Sequence, residues 1–225
     1  MLQLYFWPMA CSLASRIALM EAGIEARYRL MHLWNKTVVD DGSDFRTVSP
    51  KGAVPVLILE NGERLTESAA VLQYIADLKP ELGLAPPPGS LDRYRLQEWL
   101  SFVGCEIHKA FLFPTFWYKD DAAKADAKAD AKADAKADAK AAARERIGQS
   151  LSVVAEHLAN RLYLVGERFT VADAHLTWSL LLLGRAGVDI AQWPPLAGYL
   201  DRMRARPQVA ASIKHETELW KTMKV

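Results

Sequence analysis

Leu2-Gln3-Leu4-Tyr5-Phe6-Trp7-Pro8-Met9-Ala10-Cys11-Ser12-Leu13-Ala14-Ser15-Arg16-Ile17-Ala18-Leu19-Met20-Glu21-Ala22-Gly23 orders everything that follows it. Residues 2–7 form an apolar and aromatic run that stops at Pro8, the pattern of a buried strand. Leu13, Ile17 and Met20 then return at helical spacing, and Gly23 supplies a helix stop. Residues 27–33 read as a second strand, with Tyr28, Leu30 and His32 on one face. After a polar stretch, Ser49-Pro50-Lys51-Gly52 signals a turn. Residues 54–60 and 63–66 flank Asn61-Gly62, which predicts a hairpin closed by a type I′ turn. Residues 68–78, with Ala70, Val71, Tyr74 and Ile75 in phase, predict a second helix.

Strand, helix, strand, connection, hairpin and helix within the first 79 residues is the order of a thioredoxin-like α/β unit. Residues 80–90 contain Ala85-Pro86-Pro87-Pro88-Gly89 and predict a stiff, extended linker. Beyond it strand signals stop. Residues 91–110, 144–162, 171–186 and 196–204 read as helices, with a short one toward Trp220. The expected architecture is an α/β thioredoxin-like N-terminal domain over 1–79, the linker, and an all-α domain over 91–225. Residues 122–142 interrupt that pattern with a near-strict Ala-Lys-Ala-Asp repeat. Alanine favours helix, but every i,i+4 charged pair there is Lys–Lys or Asp–Asp. The tract predicts a solvent-exposed, frayed helical extension inserted in the turn between two long helices.

Lys+Arg is 28 against Asp+Glu 27, a net charge of +1, which excludes binding nucleic acid or an anionic membrane by bulk electrostatics. The two cysteines, Cys11 and Cys105, make neither a disulfide framework nor a CxxC knuckle, and point to a reducing cytoplasm. The N-terminus makes a poor signal peptide, and the apolar stretch around residues 176–183 is far short of the ~20 residues that cross a bilayer.

Cys11 falls just after the first strand and just before the first helix. Unpaired helix N–H groups and the positive end of the dipole there favour a thiolate, whereas a small buried residue at a core helix start is the plain alternative. Ser12 reads either as a helix cap or as a hydrogen-bond donor to that thiolate. Val54-Pro55 heads a strand, where an X-Pro bond is sometimes cis. Val54 there either opens an ordinary edge strand or offers its backbone to an extended, peptide-like ligand. Glu67-Ser68 opens a helix whose N–H groups and hydroxyl suit a carboxylate, with Glu67 able to hold an ammonium group; a simple cap is the alternative. His108-Lys109 lies on a helix, where such residues are usually surface or interface. The sequence lacks GxSxG, P-loop, HExxH and Rossmann signatures, and its histidines lack metal-ligand spacing, so no metal is expected.

Taken together the chain resembles the glutathione S-transferases, most nearly the bacterial beta class. The resemblance rests on Pro8-Met9-Ala10-Cys11-Ser12-Leu13, Ser49-Pro50-Lys51-Gly52-Ala53-Val54-Pro55, Leu65-Thr66-Glu67-Ser68 with Gln73-Tyr74-Ile75, Glu106-Ile107-His108-Lys109 and Phe169-Thr170-Val171-Ala172-Asp173-Ala174. It implies that Cys11 approaches the glutathione sulfur and can form a mixed disulfide with it. Val54, ahead of a cis Pro55, would pair through its backbone with the cysteinyl part. Glu67 and Ser68 would hold the γ-glutamyl end, and Lys36 and Lys51 would lie near the glycyl carboxylate. His108 and Lys109 would reach the cleft near the sulfur. Thr170-Val171-Ala172-Asp173 matches the family's capping box, an assignment to folding that helix chemistry supports on its own.

The leading expectation is conjugation of the glutathione thiolate to small hydrophobic electrophiles, with glutathione as co-substrate and Cys11, Ser12 and His108 as candidate catalytic residues. Phe111, Phe113, Phe116 and Trp117, with Tyr118, are either core or interface, or the lining for a flat apolar co-substrate. The alternatives are thiol-disulfide or peroxidase chemistry through Cys11, and a non-catalytic binding module on the same fold. The resemblance further implies a cytoplasmic homodimer packed through the first long helix of the all-α domain, with Cys105 a buried interface or core thiol.

Overall fold

The computed structural model describes the backbone of residues 1–112, 128–184 and 187–223, and the side chains of 1–109, 141–184 and 187–223. Strands β1 (Leu2–Phe6), β2 (Ala26–His32), β3 (Thr37–Val38), β4 (Val56–Ile58) and β5 (Arg64–Thr66) form one sheet in the order β3-β2-β1-β4-β5. β1 is the central strand, parallel to β2 and antiparallel to β4. That position explains its sequence: Leu4, Tyr5 and Phe6 are all buried, so apolar residues follow one another there instead of alternating.

Helix α1 (Ser12–Glu21) connects β1 to β2 and packs against α2 (Ser68–Asp77), with Leu13, Ile17, Val71, Leu72 and Ile75 fully buried. Burial of each such side chain contributes about 1.5–3 kcal/mol. Gly23 ends α1 as expected: at φ +61° its N–H meets the Met20 carbonyl, and the Ile24 N–H reaches back to Leu19.

The hairpin between β4 and β5 forms, but not with a type I′ turn. Gly62 alone takes positive φ (+85°), and its N–H donates to the Leu59 carbonyl. Asn61 stays out of the left-handed region, so the loop has the one-glycine form in which a single αL residue makes a bulge. The short strand β3 and the 3₁₀ turn Phe45–Thr47 fall in the stretch that reads simply as polar. The linker is not uniformly extended. Pro80–Leu82 makes a 3₁₀ turn, and Leu84 and Ala85 are buried, with the Leu84 carbonyl accepting from Val171 N–H.

After the linker the chain is helical: α3 (Leu91–Phe102), α4 (Lys128–Leu158), α5 (Val171–Leu183), α6 (Pro194–Ala205) and α7 (Pro207–Thr222). α3 does not run on as an α-helix to residue 110; from Val103–Leu112 the backbone widens into a π-helical stretch, a form that recurs at functional sites. The repeat is helical from residue 128, where it becomes the N-terminal part of α4, and residues 122–127 lie outside the described residues. α7 is a 16-residue helix, longer than the short element expected near Trp220. α5 is buried almost all round, as a central helix must be to stay that apolar. At its start the Asp173 carboxylate accepts from the Thr170 N–H and hydroxyl and from the Leu164 N–H, completing the expected capping box and tying in a neighbouring loop. No helix among the described residues is long and apolar enough to cross a membrane.

Candidate functional site

The sheet register brings the proposed residues together. Val56 of β4 faces Tyr5 of β1 on one side and Thr66 of β5 on the other. The chain entering β4, with Val54 and a cis Val54–Pro55 bond, therefore lies between the segment leaving β1 and the start of α2. Across that gap the Cys11 thiol donates to the Val54 carbonyl at 3.0 Å.

Cys11 is 8% exposed, and burial pushes its thiol up to about 11, with the Ser68 side chain and the Lys109 charge pulling the other way. This corrects the thiolate expectation. Removing the thiol from water penalises the charged form more than the helix start favours it. Ser12 is corrected as well. Its hydroxyl donates to the Trp7 carbonyl and accepts from the Trp7 N–H, both at 3.3 Å, and is fully buried. It neither caps α1 nor serves the thiol; the Ser68 side chain does the latter.

Glu67 sits at the head of α2 with φ +71°, a conformation that costs a non-glycine residue on the order of 1–3 kcal/mol and persists only where surroundings enforce it. Its carboxylate Oε1 accepts from the Lys51 ammonium at 2.7 Å, and the same ammonium donates to the Thr66 hydroxyl at 2.9 Å. That hydrogen bond, with help from Lys109, holds the Glu67 carboxyl below its ordinary range. Lys36, itself at φ +56°, donates from Nζ to the Gly52 carbonyl at 2.7 Å, and burial lowers its ammonium. Lys36 and Lys51 thus frame the two ends of the turn that leads into Val54.

His108 and Lys109 lie on the π-helical stretch. The His108 ring stands edge-on to Trp178 (4.6 Å between centroids), and burial with the nearby His175 and Lys109 charges drives its imidazole down to about 3. His108 is a neutral ring at physiological pH. Cys105, one turn away, is exposed in this chain and is not a core thiol. The Phe111 side chain, and Phe113, Phe116, Trp117 and Tyr118 altogether, lie outside the described residues. Among the described residues no group of acidic, cysteine or histidine side chains is arranged to hold a metal.

Sequence reasoning missed three residues behind the site. Trp178 and His175 lie within the apolar run of α5, where neither has a distinguishing spacing. Glu216 lies on α7, 207 residues from the backbone N–H of Met9 that it accepts from at 2.7 Å. His175 is 1% exposed, both its ring nitrogens lack a hydrogen-bond partner among the described residues, and burial lowers it to about 4. Its folded pKa lies below its unfolded one, so its neutral form contributes stability that is present above about pH 6.5 and lost as pH falls toward 4. His108 acts in the same direction and Glu216, raised to about 7, in the opposite one. A His175→Phe variant is therefore expected to lose less stability than the parent between pH 6.5 and 4, by up to about 3 kcal/mol. Urea denaturation across that range measures it. Parallel pH slopes for the two proteins would refute it.

Residues 8–78 match the N-terminal domain of glutathione S-transferase and residues 103–207 its C-terminal domain. The glutathione S-transferase GstA of Escherichia coli is 33% identical over 96% of this chain and 98% of its own length. A sphingomonad glutathione S-transferase solved with glutathione superposes with a TM-score of 0.83 at 41% identity, covering 96% of this chain and 98% of that one. A bacterial beta-class glutathione S-transferase from Sphingomonas chungbukensis gives 0.83 at 39%, over 95% and 98%. The fold and the paired domains define a glutathione-dependent enzyme class. The chain belongs to the glutathione S-transferases, in the neighbourhood of their bacterial beta class.

Proposed function

We propose that this transferase conjugates the glutathione thiolate to small hydrophobic electrophiles, with Cys11 acting as a hydrogen-bond donor to the glutathione sulfur. The observation that carries the reading is the protonated Cys11 thiol aimed at the Val54 carbonyl, the backbone group proposed to pair with the cysteinyl part of glutathione. A thiol raised to about 11 is a poor nucleophile at neutral pH but a competent donor, and a donated hydrogen bond is what a neighbouring thiolate needs. In conjugation the glutathione thiol loses its proton to solvent, and its sulfur pair forms the new carbon–sulfur bond. A leaving group then departs with its electrons, or an activated alkene takes up a proton.

The remaining roles follow from charge and placement. The strained Glu67 and Ser68 at the head of α2 suit the amino and carboxylate groups of the γ-glutamyl end. Lys36 and Lys51 suit the glycyl carboxylate, and Lys109 adds positive charge toward the sulfur. His108, neutral, is a hydrogen-bonding group near the sulfur. The same protonated Cys11 weighs against thiol-disulfide exchange as the main chemistry, because exchange requires the attacking thiolate. The reading includes a cytoplasmic homodimer packed through α3, where Leu91 and Tyr94 are large, exposed apolar side chains.

Calorimetric titration tests it, on reduced protein first sized by light scattering as a species of twice the 25.1 kDa chain. Micromolar to low-millimolar binding of both glutathione and S-methylglutathione is the expected result. Binding of the free thiol alone would put the weight on the sulfur contacts around Cys11. No heat from either, in folded protein, would turn the reading to a non-catalytic module.

A further inference from the structure

Met9, two residues before Cys11, has φ +60°. It is the third residue of the turn Trp7–Ala10, in which Pro8 precedes it and the Ala10 N–H donates to the Trp7 carbonyl at 3.0 Å, a turn that takes positive φ there at some cost to a methionine. Two groups from outside the loop also hold it, one on each side of the residue. The Glu216 carboxylate accepts from the Met9 N–H at 2.7 Å, and the Trp178 indole N–H donates to the Met9 carbonyl at 3.1 Å. The residue that carries Cys11 toward Val54 is therefore fixed from α7 and from α5.

Trp178 also does something Glu216 does not. Its ring, 2% exposed, meets His108 edge to face at 4.6 Å and lies nearly parallel to His175, with 16° between planes. His108 rides on the π-helical stretch, where a widened backbone departs from ordinary helix geometry and relies on tertiary contacts for its exact placement. One rigid indole thus touches both the loop that presents the thiol and the His108 imidazole.

We infer that Trp178 is a positioning residue which sets the Cys11 loop and the His108 ring relative to each other, through its N–H on the Met9 carbonyl and its face and edge on the two imidazoles. Trp178 touches neither the thiol nor any reacting atom. It acts through Met9 on one side and His108 on the other, and both links are directional. The inference rests on the proposed roles of Cys11 and His108 in glutathione chemistry, but its main readout does not use glutathione.

The test replaces Trp178 in the full-length protein in two ways. Trp178→Phe shortens the ring and removes the N–H. Site-specific incorporation of β-(3-benzothienyl)alanine at the same position keeps the bicyclic shape and removes the N–H alone, which covers the case that phenylalanine does not pack. Iodoacetamide alkylation of Cys11 without glutathione, read by mass spectrometry, is expected to run several-fold faster in both variants, as the freed loop lets the buried thiol out. With glutathione and a reactive electrophile, kcat is expected to fall about tenfold or more, because small misplacements of reacting groups are expensive. Glutathione affinity, set by Val54, Glu67 and Ser68, is expected to stay within about twofold. Parent-like alkylation and kcat in a folded benzothienyl variant would overturn the inference. So would loss of glutathione affinity and melting temperature in step with kcat, which marks a merely structural role. Should the parent itself fail to bind glutathione in calorimetry, the functional reading falls, and the alkylation rates alone decide for or against Trp178 as the anchor of the loop.

Discussion

Cys11→Ala is expected to lower kcat/KM for conjugation by roughly 10- to 100-fold, and Cys11→Ser to retain most of it. A hydrogen bond to a charged acceptor contributes about 1.5–3 kcal/mol, which is that range in rate. Alanine removes the donor; serine keeps an O–H within a similar radius. The structure makes the distinction meaningful because the Cys11 thiol is already a donor, to the Val54 carbonyl at 3.0 Å, and burial keeps it protonated. Thiol transfer from glutathione mixed disulfides separates the two chemistries. Any such activity that passes through a Cys11–glutathione adduct vanishes in both variants, since neither retains sulfur. Steady-state kinetics with an aromatic halide and with a mixed disulfide measure both at once. Equal conjugation rates in the alanine and serine variants would remove Cys11 from the reaction as a donor. Ser12 would not be the substitute, because its hydroxyl is committed to the Trp7 main chain.

Elements with a strong local signal were legible in the sequence. The strand ending at Pro8, the α1 stop at Gly23, the hairpin around Gly62 and the Thr170–Asp173 cap each depend on residues close together in the chain, and all of them formed. What local sequence did not reveal is what burial and register decide. In sequence Ser12, next to Cys11, reads as the serine able to serve the thiol, and Ser68 as a carboxylate ligand or cap. Only the register that sets Val56 against both Tyr5 and Thr66 brings Ser68 to Cys11. A helix start favours a Cys11 thiolate, but exposure is a tertiary property, and desolvation outweighs the dipole. Trp178 and Glu216 were invisible for a related reason. A tryptophan in an apolar helix and a glutamate near a C-terminus carry no mark of a partner 169 or 207 residues away. Pro8 in the Trp7–Ala10 turn is a local hint of positive φ at Met9, but the clamp that Glu216 and Trp178 put on that turn comes from α7 and α5 and leaves no local mark.

That clamp makes Glu216 the side chain whose truncation is expected to destabilise the protein most among those facing α1. Its carboxylate is 0% exposed; Oε2 accepts from the Met9 N–H, and Oε1 accepts from Arg16 Nε at 2.9 Å. Arg16 is itself 5% exposed, with its guanidinium carbon 3.7 Å from the Tyr28 ring centroid and 4.8 Å from that of Phe6. Glu216→Ala strands a buried guanidinium and a buried N–H together, and breaking such a pair from one side costs about 3–5 kcal/mol. For a chain of this size that is a drop in melting temperature on the order of 10 °C. Glu216→Gln is expected to cost much less, because an amide oxygen still accepts from one of the two donors and burial already pushes the Glu216 carboxyl up to about 7. The folded pKa lies above the unfolded one. The proton taken up on folding therefore makes wild-type stability fall as pH rises from about 4.5 to 7 through this group, a fall the glutamine variant does not share. The gap between wild type and either variant should accordingly narrow with rising pH, with Glu216→Ala melting below Glu216→Gln on both sides. Scanning calorimetry of the three proteins at pH 5 and pH 8 reads both effects. Alanine and glutamine variants melting together would mean that α7 is held on α1 by its apolar face alone, and that Met9 keeps its left-handed backbone without Glu216.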